Sequence, residues 1–207
     1  VKANGKIAMK FEDEHAETLL INARIASNDD DVMLTTNSGR AIRFPATDVR
    51  VFNSRASVGV RGIKLSGTDK VVSMSIVRHF DASSEERVAY LKMRRAMAGL
   101  TDEDAGEDDD VAADPNFSQE RYVEMSAAEN LILTISAQGS GKLSSSHDYP
   151  VRGRGGLGVT AMDKAMRGGD IVASFPVEMD DQIMLATSKG QSIRVPVEGI
   201  SFRSRSA

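Results

Sequence analysis

Ser144-Ser145-Ser146 stand directly before His147 and Asp148, which together are the three residue types of an acyl-transfer triad. A triad works only when its members converge from separate parts of a fold, and consecutive residues rarely do so. A polar turn is the reading they support. His15, His79 and His147 have no cysteine partners and no HExxH spacing, so no zinc set can be assembled from them. Gly139-Ser140-Gly141-Lys142 is only loosely similar to a phosphate loop, lacking the earlier glycine and lying in a hairpin rather than before a helix. The carboxylates of Asp102 to Asp110 lack the glycine and final glutamate of an EF-hand loop. No catalytic constellation survives, and no cofactor site is expected.

What remains is cation against phosphate. Arg40, Arg43, Arg55, Arg61 and Lys64 are answered by Lys142, Arg152 and Arg154, and again by Lys189, Arg194, Arg203 and Arg205. Cations recurring in step along a curved array can meet successive backbone phosphates of a bent duplex, each contact releasing counterions and carrying no base information. Glycines beside them let the backbone approach a phosphate and offer N–H donors. An ordinary solvated rim has the same composition; recurrence in register favours the phosphate reading.

The elements that must position these cations follow from two interleaved markers. Val32-Met33-Leu34-Thr35-Thr36-Asn37-Ser38-Gly39 returns as Ile132 to Gly139 and as Ile183 to Gly190. Gly59-Val60-Arg61-Gly62-Ile63-Lys64-Leu65 has counterparts in Gly5 to Phe11 and Gly156 to Met162. Gly139 to Gly190 is 51 residues and Gly5 to Gly59 is 54, so the unit is about fifty residues, the length of a four-stranded propeller blade. Gly39 to Gly139 is 100 residues, so nearly one unit of extra chain is inserted there. The markers place both chain ends in mid-unit, as in an excerpt from a longer array.

Within a unit, Val32 to Thr36 is rich in β-branched residues, Asn37-Ser38-Gly39 is a hairpin signal, and Arg40 to Phe44 is the return strand. Ile42 and Phe44 then share one face with Arg43 on the other, and Pro45 ends the strand because it cannot donate to a ladder. Ile193, Arg194, Val195 and Pro196 repeat this, whereas the middle copy departs with Lys142, Leu143 and Ser144. Val71 to Val77 and Ile171 to Val177 close their units, and Leu19 to Ile25 reads as a further strand. The expected fold is all-β, a propeller-like β-pinwheel of four-stranded blades carrying a partly helical acidic insert. Residues 1–80 hold the end of one blade and a complete one, 81–129 the insert, and 130–207 a complete blade and the start of another.

The net charge of −4 conceals a split, because residues 81–129 hold 14 Asp or Glu against 5 Lys or Arg while the remainder carries +5. A mildly basic array thus holds an acidic insert, and the array attracts polyanions despite the overall acidity. In the insert, Ser83 or Ser84 caps a helix running to about Leu100, with Glu85 and Glu86 in its first turn and Arg94 and Arg95 towards its end. Tyr90, Met93, Met97 and Leu100 would form its apolar face, packed on a blade. Thr101 to Pro115 reads as disordered and Ser118 to Ala128 as a second helix. With no cysteine and no apolar run of membrane-spanning length, a reducing, cytoplasmic setting is expected.

The two markers at this spacing, with Asp69-Lys70-Val71-Val72-Ser73 and Asp181-Gln182-Ile183-Met184, closely resemble the C-terminal domain of the DNA gyrase A subunit, over almost the whole chain outside the insert. The resemblance implies a six-bladed β-pinwheel that wraps double-stranded DNA around a basic edge to support ATP-dependent negative supercoiling. It implies partnership with the gyrase A N-terminal catalytic region and gyrase B in an A2B2 holoenzyme, where the ATP and Mg2+ belong. None of Tyr90, Tyr122 or Tyr149 matches the strand-cleaving tyrosine, so this chain is expected to bind DNA without cutting it. The family's box Gln-Arg-Arg-Gly-Gly-Lys-Gly is absent; Arg154-Gly155-Gly156-Leu157-Gly158 resembles its latter part with leucine for lysine. The acidic insert falls outside the family's commonest pattern and is expected to compete with DNA for the basic edge. The matching domain of topoisomerase IV and a protein-interaction propeller are the alternatives.

Overall fold

The computed structural model describes residues 5–11, 18–100 and 111–207. The hairpin signal is realised three times in one register. Strands β1 (Asp30–Thr36) and β2 (Arg40–Pro45) pair Asp31 with Pro45. β4 (Leu131–Ser136) and β5 (Gly141–Ser145) pair Leu131 with Ser145. β8 (Gln182–Ala186) and β9 (Ser192–Pro196) pair Gln182 with Pro196. The middle copy therefore keeps register despite its altered residues. Each turn closes on a glycine at positive φ, Gly39 at +88°, Gly139 at +86° and Gly190 at +80°, a backbone region costly to residues bearing a Cβ.

The closing strands are β3 (Val71–Arg78) and β7 (Ile171–Val177), which pair with β1 and β4. The first sheet has the four strands expected, but its fourth comes from outside its own unit. The first sheet runs β3-β1-β2-β6, and β6 (Val159–Thr160) comes from the glycine marker of the following unit, pairing with Arg40 and Ala41. A second contact, a parallel bridge of Val151 to Arg43, recurs one unit on, where Phe202 bridges Leu143, Leu143 donates to the Ser201 carbonyl and Arg203 to the Leu143 carbonyl. The sheet of the first unit is thus completed by the second.

Cores lie on both faces of the hairpins, as a period of two requires when both faces are covered. Ile42 and Phe44 pack on Ile63 within the first unit. From the other face Met33 and Ala41 join Ile132, Tyr149, Ala161 and Ile171 of the second. Met33, Ile132, Tyr149 and Ile171 are at most 1% exposed, and each such side chain contributes about 1.5–3 kcal/mol, so joints between units hold as much as the units do. Leu19 to Ile25 forms no strand: it pairs with no neighbour among the described residues, and Leu19 and Ile25 are 77% and 99% exposed, so no burial offsets the ordering.

The described residues of the insert form two helices. α1 (Ser84–Met97) begins at a full capping box, Ser83 accepting from the Glu86 N–H while the Glu86 carboxylate accepts from the Ser83 N–H. α2 (Gln119–Ala128) is capped by Ser118. Tyr90, Tyr122 and Met125 form their shared core, and Tyr90 stacks on Tyr122 at 5.0 Å. Met97, the last residue of α1, is 65% exposed and leaves the expected apolar face. Most of the stretch read as disordered, residues 101–110, lies outside the described residues. None of the described helices is long and apolar enough to cross a membrane.

Candidate nucleic-acid interface

The cations divide by burial into two sets with different work. Arg40, Arg55, Arg61, Lys64, Arg152, Arg154, Lys189, Arg194 and Arg203 are exposed. Arg43, Lys142 and Arg205 are 3%, 4% and 1% exposed, which withdraws them from the expected set of phosphate contacts. A guanidinium or ammonium so desolvated must be matched by fixed acceptors, and each is.

Arg43 lies on the face of β2 opposite Ile42 and Phe44, as its alternation requires, but that face is covered by the second unit. Its Nε bonds Asp31 Oδ2 at 2.7 Å, Nη1 donates to the Ser146 carbonyl at 2.7 Å and Nη2 to the Arg78 carbonyl at 2.8 Å. Burial pulls the Arg43 pKa down and the Asp31 charge opposes that fall. The other Asp31 oxygen meets His79 Nδ1 at 2.8 Å, a bond that raises the histidine's pKa. A signal was present: the matching positions of the second hairpin are Leu131 and Leu143, so an acid and a base replace two core residues.

Lys142 occupies the register position of Ile42 and Ile193, and its Nζ donates to the carbonyls of Ser204 at 2.7 Å, Arg205 at 2.6 Å and Ala207. Burial pushes this amine down from its ordinary 10.5 to about 7. The unfolded chain therefore binds the proton more tightly between those values, and stability should rise with pH across that window, approaching about 1.4 kcal/mol per pH unit for one group. Urea midpoints measured from pH 7 upwards should show that rise in the parent and lose it in Lys142→Met.

Arg154 and Arg205 are the same device one unit apart. Arg154 Nε donates to the Asp48 carbonyl at 3.0 Å and Nη1 to the Arg61 carbonyl at 3.1 Å; Arg205 Nε donates to the Asp148 carbonyl at 2.8 Å and Nη1 to Thr160 at 2.9 Å. Each reaches back to the 3-10 turn of the preceding unit, Ala46–Asp48 or Ser146–Asp148. Arg205 is fully buried in doing so, whereas Arg154 remains exposed. Sequence reasoning missed Arg167 altogether. This residue ends the single turn of α3 (Lys164–Arg167), and its Nη1 clasps the Asn37 carbonyl of the first hairpin at 2.9 Å.

The exposed set has a centre. The Gly155 N–H donates to the Gly62 carbonyl at 2.5 Å and the Lys64 N–H to the Gly156 carbonyl at 2.8 Å, so the glycine markers of consecutive units lie side by side. This brings Arg61, Lys64 and Arg154 to one rim. Arg55 and Arg154, with Arg24 and Arg50, line an adjoining cleft of about 810 Å³. Arg50, an arginine of the connection after the return strand, was not among the expected phosphate contacts; its guanidinium sits 4.6 Å over the Phe52 ring. Arg152 and Arg203 occupy matching positions further along, their N–H groups bonding the Arg43 and Leu143 carbonyls. Arg40 and Arg194 stand on the hairpin strands β2 and β9, and Lys189 in the turn before β9.

The triad residue types do not converge. His147 Nε2 meets the Met125 carbonyl at 2.8 Å, Ser144 faces the Tyr149 hydroxyl and Asp148 accepts from the Arg205 N–H. Burial lowers the His147 pKa. Among the described residues no group of three or more His, Asp or Glu converges on a metal position.

A family profile described as "DNA gyrase C-terminal domain, beta-propeller" matches residues 30–78, 130–175 and 181–207, skipping the helical insert. The chain is 42% identical over 219 residues to the DNA gyrase A subunit of Granulibacter bethesdensis, covering all of this chain and 23% of that one. It is 36% identical over 208 residues to the DNA gyrase A subunit of Rickettsia bellii, covering 99% and 22%. The chain thus spans under a quarter of these relatives. Among solved structures, a DNA topoisomerase IV C-terminal domain aligns at TM-score 0.57 and 18% identity, over 87% of this chain and 41% of that one. A DNA gyrase A C-terminal domain aligns at 0.55 and 21%, over 89% and 43%. At these identities the structural likeness speaks for the shared propeller fold.

Proposed function

From the premise that this chain belongs to the DNA gyrase C-terminal domain, beta-propeller family, we propose that it binds duplex DNA along its arginine rim and bends it. The observation that carries this reading is the side-by-side placement of successive glycine markers, which sets Arg61, Lys64 and Arg154 at one edge with Arg55 in the adjoining cleft. Smoothly bending a site of 20–30 base pairs costs about 1–6 kcal/mol, which several phosphate contacts must offset. Recognition then follows deformability and salt rather than base sequence. In the larger protein the bent segment is presented to the catalytic region of the gyrase A subunit. With gyrase B in an A2B2 assembly in the cytoplasm, ATP-driven strand passage then yields negative supercoils. This chain itself supplies wrapping and no cleavage chemistry.

The test is fluorescence anisotropy of a duplex of about 40 base pairs titrated with the intact chain over a salt series, each neutralised phosphate contributing about −0.9 to the log–log slope. A steep slope with little sequence preference is expected. Arg55→Ala and Arg61→Ala should each make it shallower by about one phosphate, uniformly across sequences. A flat slope would sink the reading.

A further inference from the structure

The insert docks where a second cationic cleft opens. Helix α1 lays its first turns against the 3-10 turn Ser146–Asp148, with Phe80 and Tyr90 packed edge-on to His147 at 5.7 and 5.0 Å. Between insert and second unit lies a cleft of about 390 Å³. Arg87 of α1 forms one wall, held by long bonds of 3.3 Å to the His147 carbonyl and 3.4 Å to Ser84 Oγ. Exposed Arg152 forms the other, its backbone fixed to β2 by the bond from its N–H to the Arg43 carbonyl at 2.9 Å. Arg43 at the floor is matched by Asp31, and the carboxylate in the lining, Asp81, is engaged by His79 Nε2 at 3.1 Å. At the register position of Arg152 one unit later stands Arg203, next to Phe202, whose ring carries the guanidinium of Arg94 from the insert at 4.8 Å. The seam beside Arg152 thus gains a second cation from outside the repeat.

We propose that this seam holds a backbone phosphate of duplex DNA between Arg87 and Arg152, making the insert part of the DNA-binding surface. The inference rests on the DNA-binding reading above. It reverses the role that the insert's net charge implies: acid dominates its composition, yet beside the Asp81 carboxylate, which His79 engages, it brings the Arg87 guanidinium to the cleft that Arg152 lines. Two arginines lining one cleft can bind separate oxygens of one phosphate.

The salt series is repeated on the intact chain carrying Arg87→Gln, Arg87→Lys, Arg152→Gln or Lys92→Gln, with Arg61→Gln reporting on the rim. Glutamine at 87 keeps a donor for the His147 carbonyl while removing the charge. Arg87→Gln and Arg152→Gln should each make the slope shallower by about 0.9, and Lys92→Gln, on α1 but outside the cleft, should not. Arg87→Lys should restore most of the slope. If Arg87→Gln matches the parent while Arg61→Gln is shallower, the seam inference is overturned and the rim reading stands. If Arg87→Lys is as defective as Arg87→Gln, the role of Arg87 is packing and the inference is again overturned. Absence of salt-dependent binding by the parent overturns both readings.

Discussion

Replacing Arg43 by methionine is expected to cost about 3–5 kcal/mol, because it strands an uncompensated carboxylate in the interior. Asp31 is fully buried, and the lost guanidinium also satisfies the carbonyls of Ser146 and Arg78. His79, still bonded to the other Asp31 oxygen, covers only part of the charge. The paired replacement Asp31→Leu with Arg43→Leu should be milder, because the second hairpin already carries Leu131 and Leu143 at those register positions. It still leaves two carbonyls without their donor, so it should remain about 1–3 kcal/mol below the parent. Equilibrium urea unfolding of the three proteins checks the order; a single variant no worse than the double would refute it.

Gly158→Ala should be nearly as damaging, although it adds one methyl group. Gly158 has φ +72°, and a Cβ there would overlap the Ala41 carbonyl oxygen and stand 2.9 Å from its carbon. The clash is with the backbone of β2 next to the pairing of Ala41 with Val159, so no rotamer relieves it. A total of about 3–4 kcal/mol is expected, at the upper end for one substitution. Gly139→Ala is the control: its φ is +86° but nothing lies within 4 Å, so only the left-handed backbone penalty of about 1–2 kcal/mol applies. Denaturation midpoints should separate the two. Amide exchange at Ala161, whose N–H bonds the Gly39 carbonyl at 2.8 Å, should quicken in Gly158→Ala alone.

The hairpins, the closing strands and both insert helices were legible in the sequence because each is a local device: a turn glycine, a period of two, a capping box. The exchange of β6 was not, since two residues pairing across a unit boundary leave no periodic trace. For the interface, the sequence counted Arg43, Lys142 and Arg205 alongside Arg55 and Arg61 because type and spacing look alike. What separates them is which face the next unit covers. Lys142 sitting where the other hairpins carry Ile42 and Ile193 is a mark of a buried cation that the sequence alone displays. Arg154 shows the limit, since its sequence neighbourhood points to phosphate while its side chain also ties two units together.

The hand-over of β6 from the second unit to the first has a consequence for how this chain comes into being. The partner of Ala41 is Val159, more than a hundred residues later, so the first sheet waits unfinished while the insert and the second hairpin are synthesised. The entropy of closing that loop grows only logarithmically, about 0.6 kcal/mol per doubling of length, which is why a fifty-residue insertion is tolerated there. In a simple solenoid each repeat is stabilised by stacking on its neighbours. Here the first unit's own sheet stays incomplete until the second arrives. Maturation of the first unit therefore runs in the direction of translation, the second unit finishing it on arrival, and loosening that joint exposes the edge of β2.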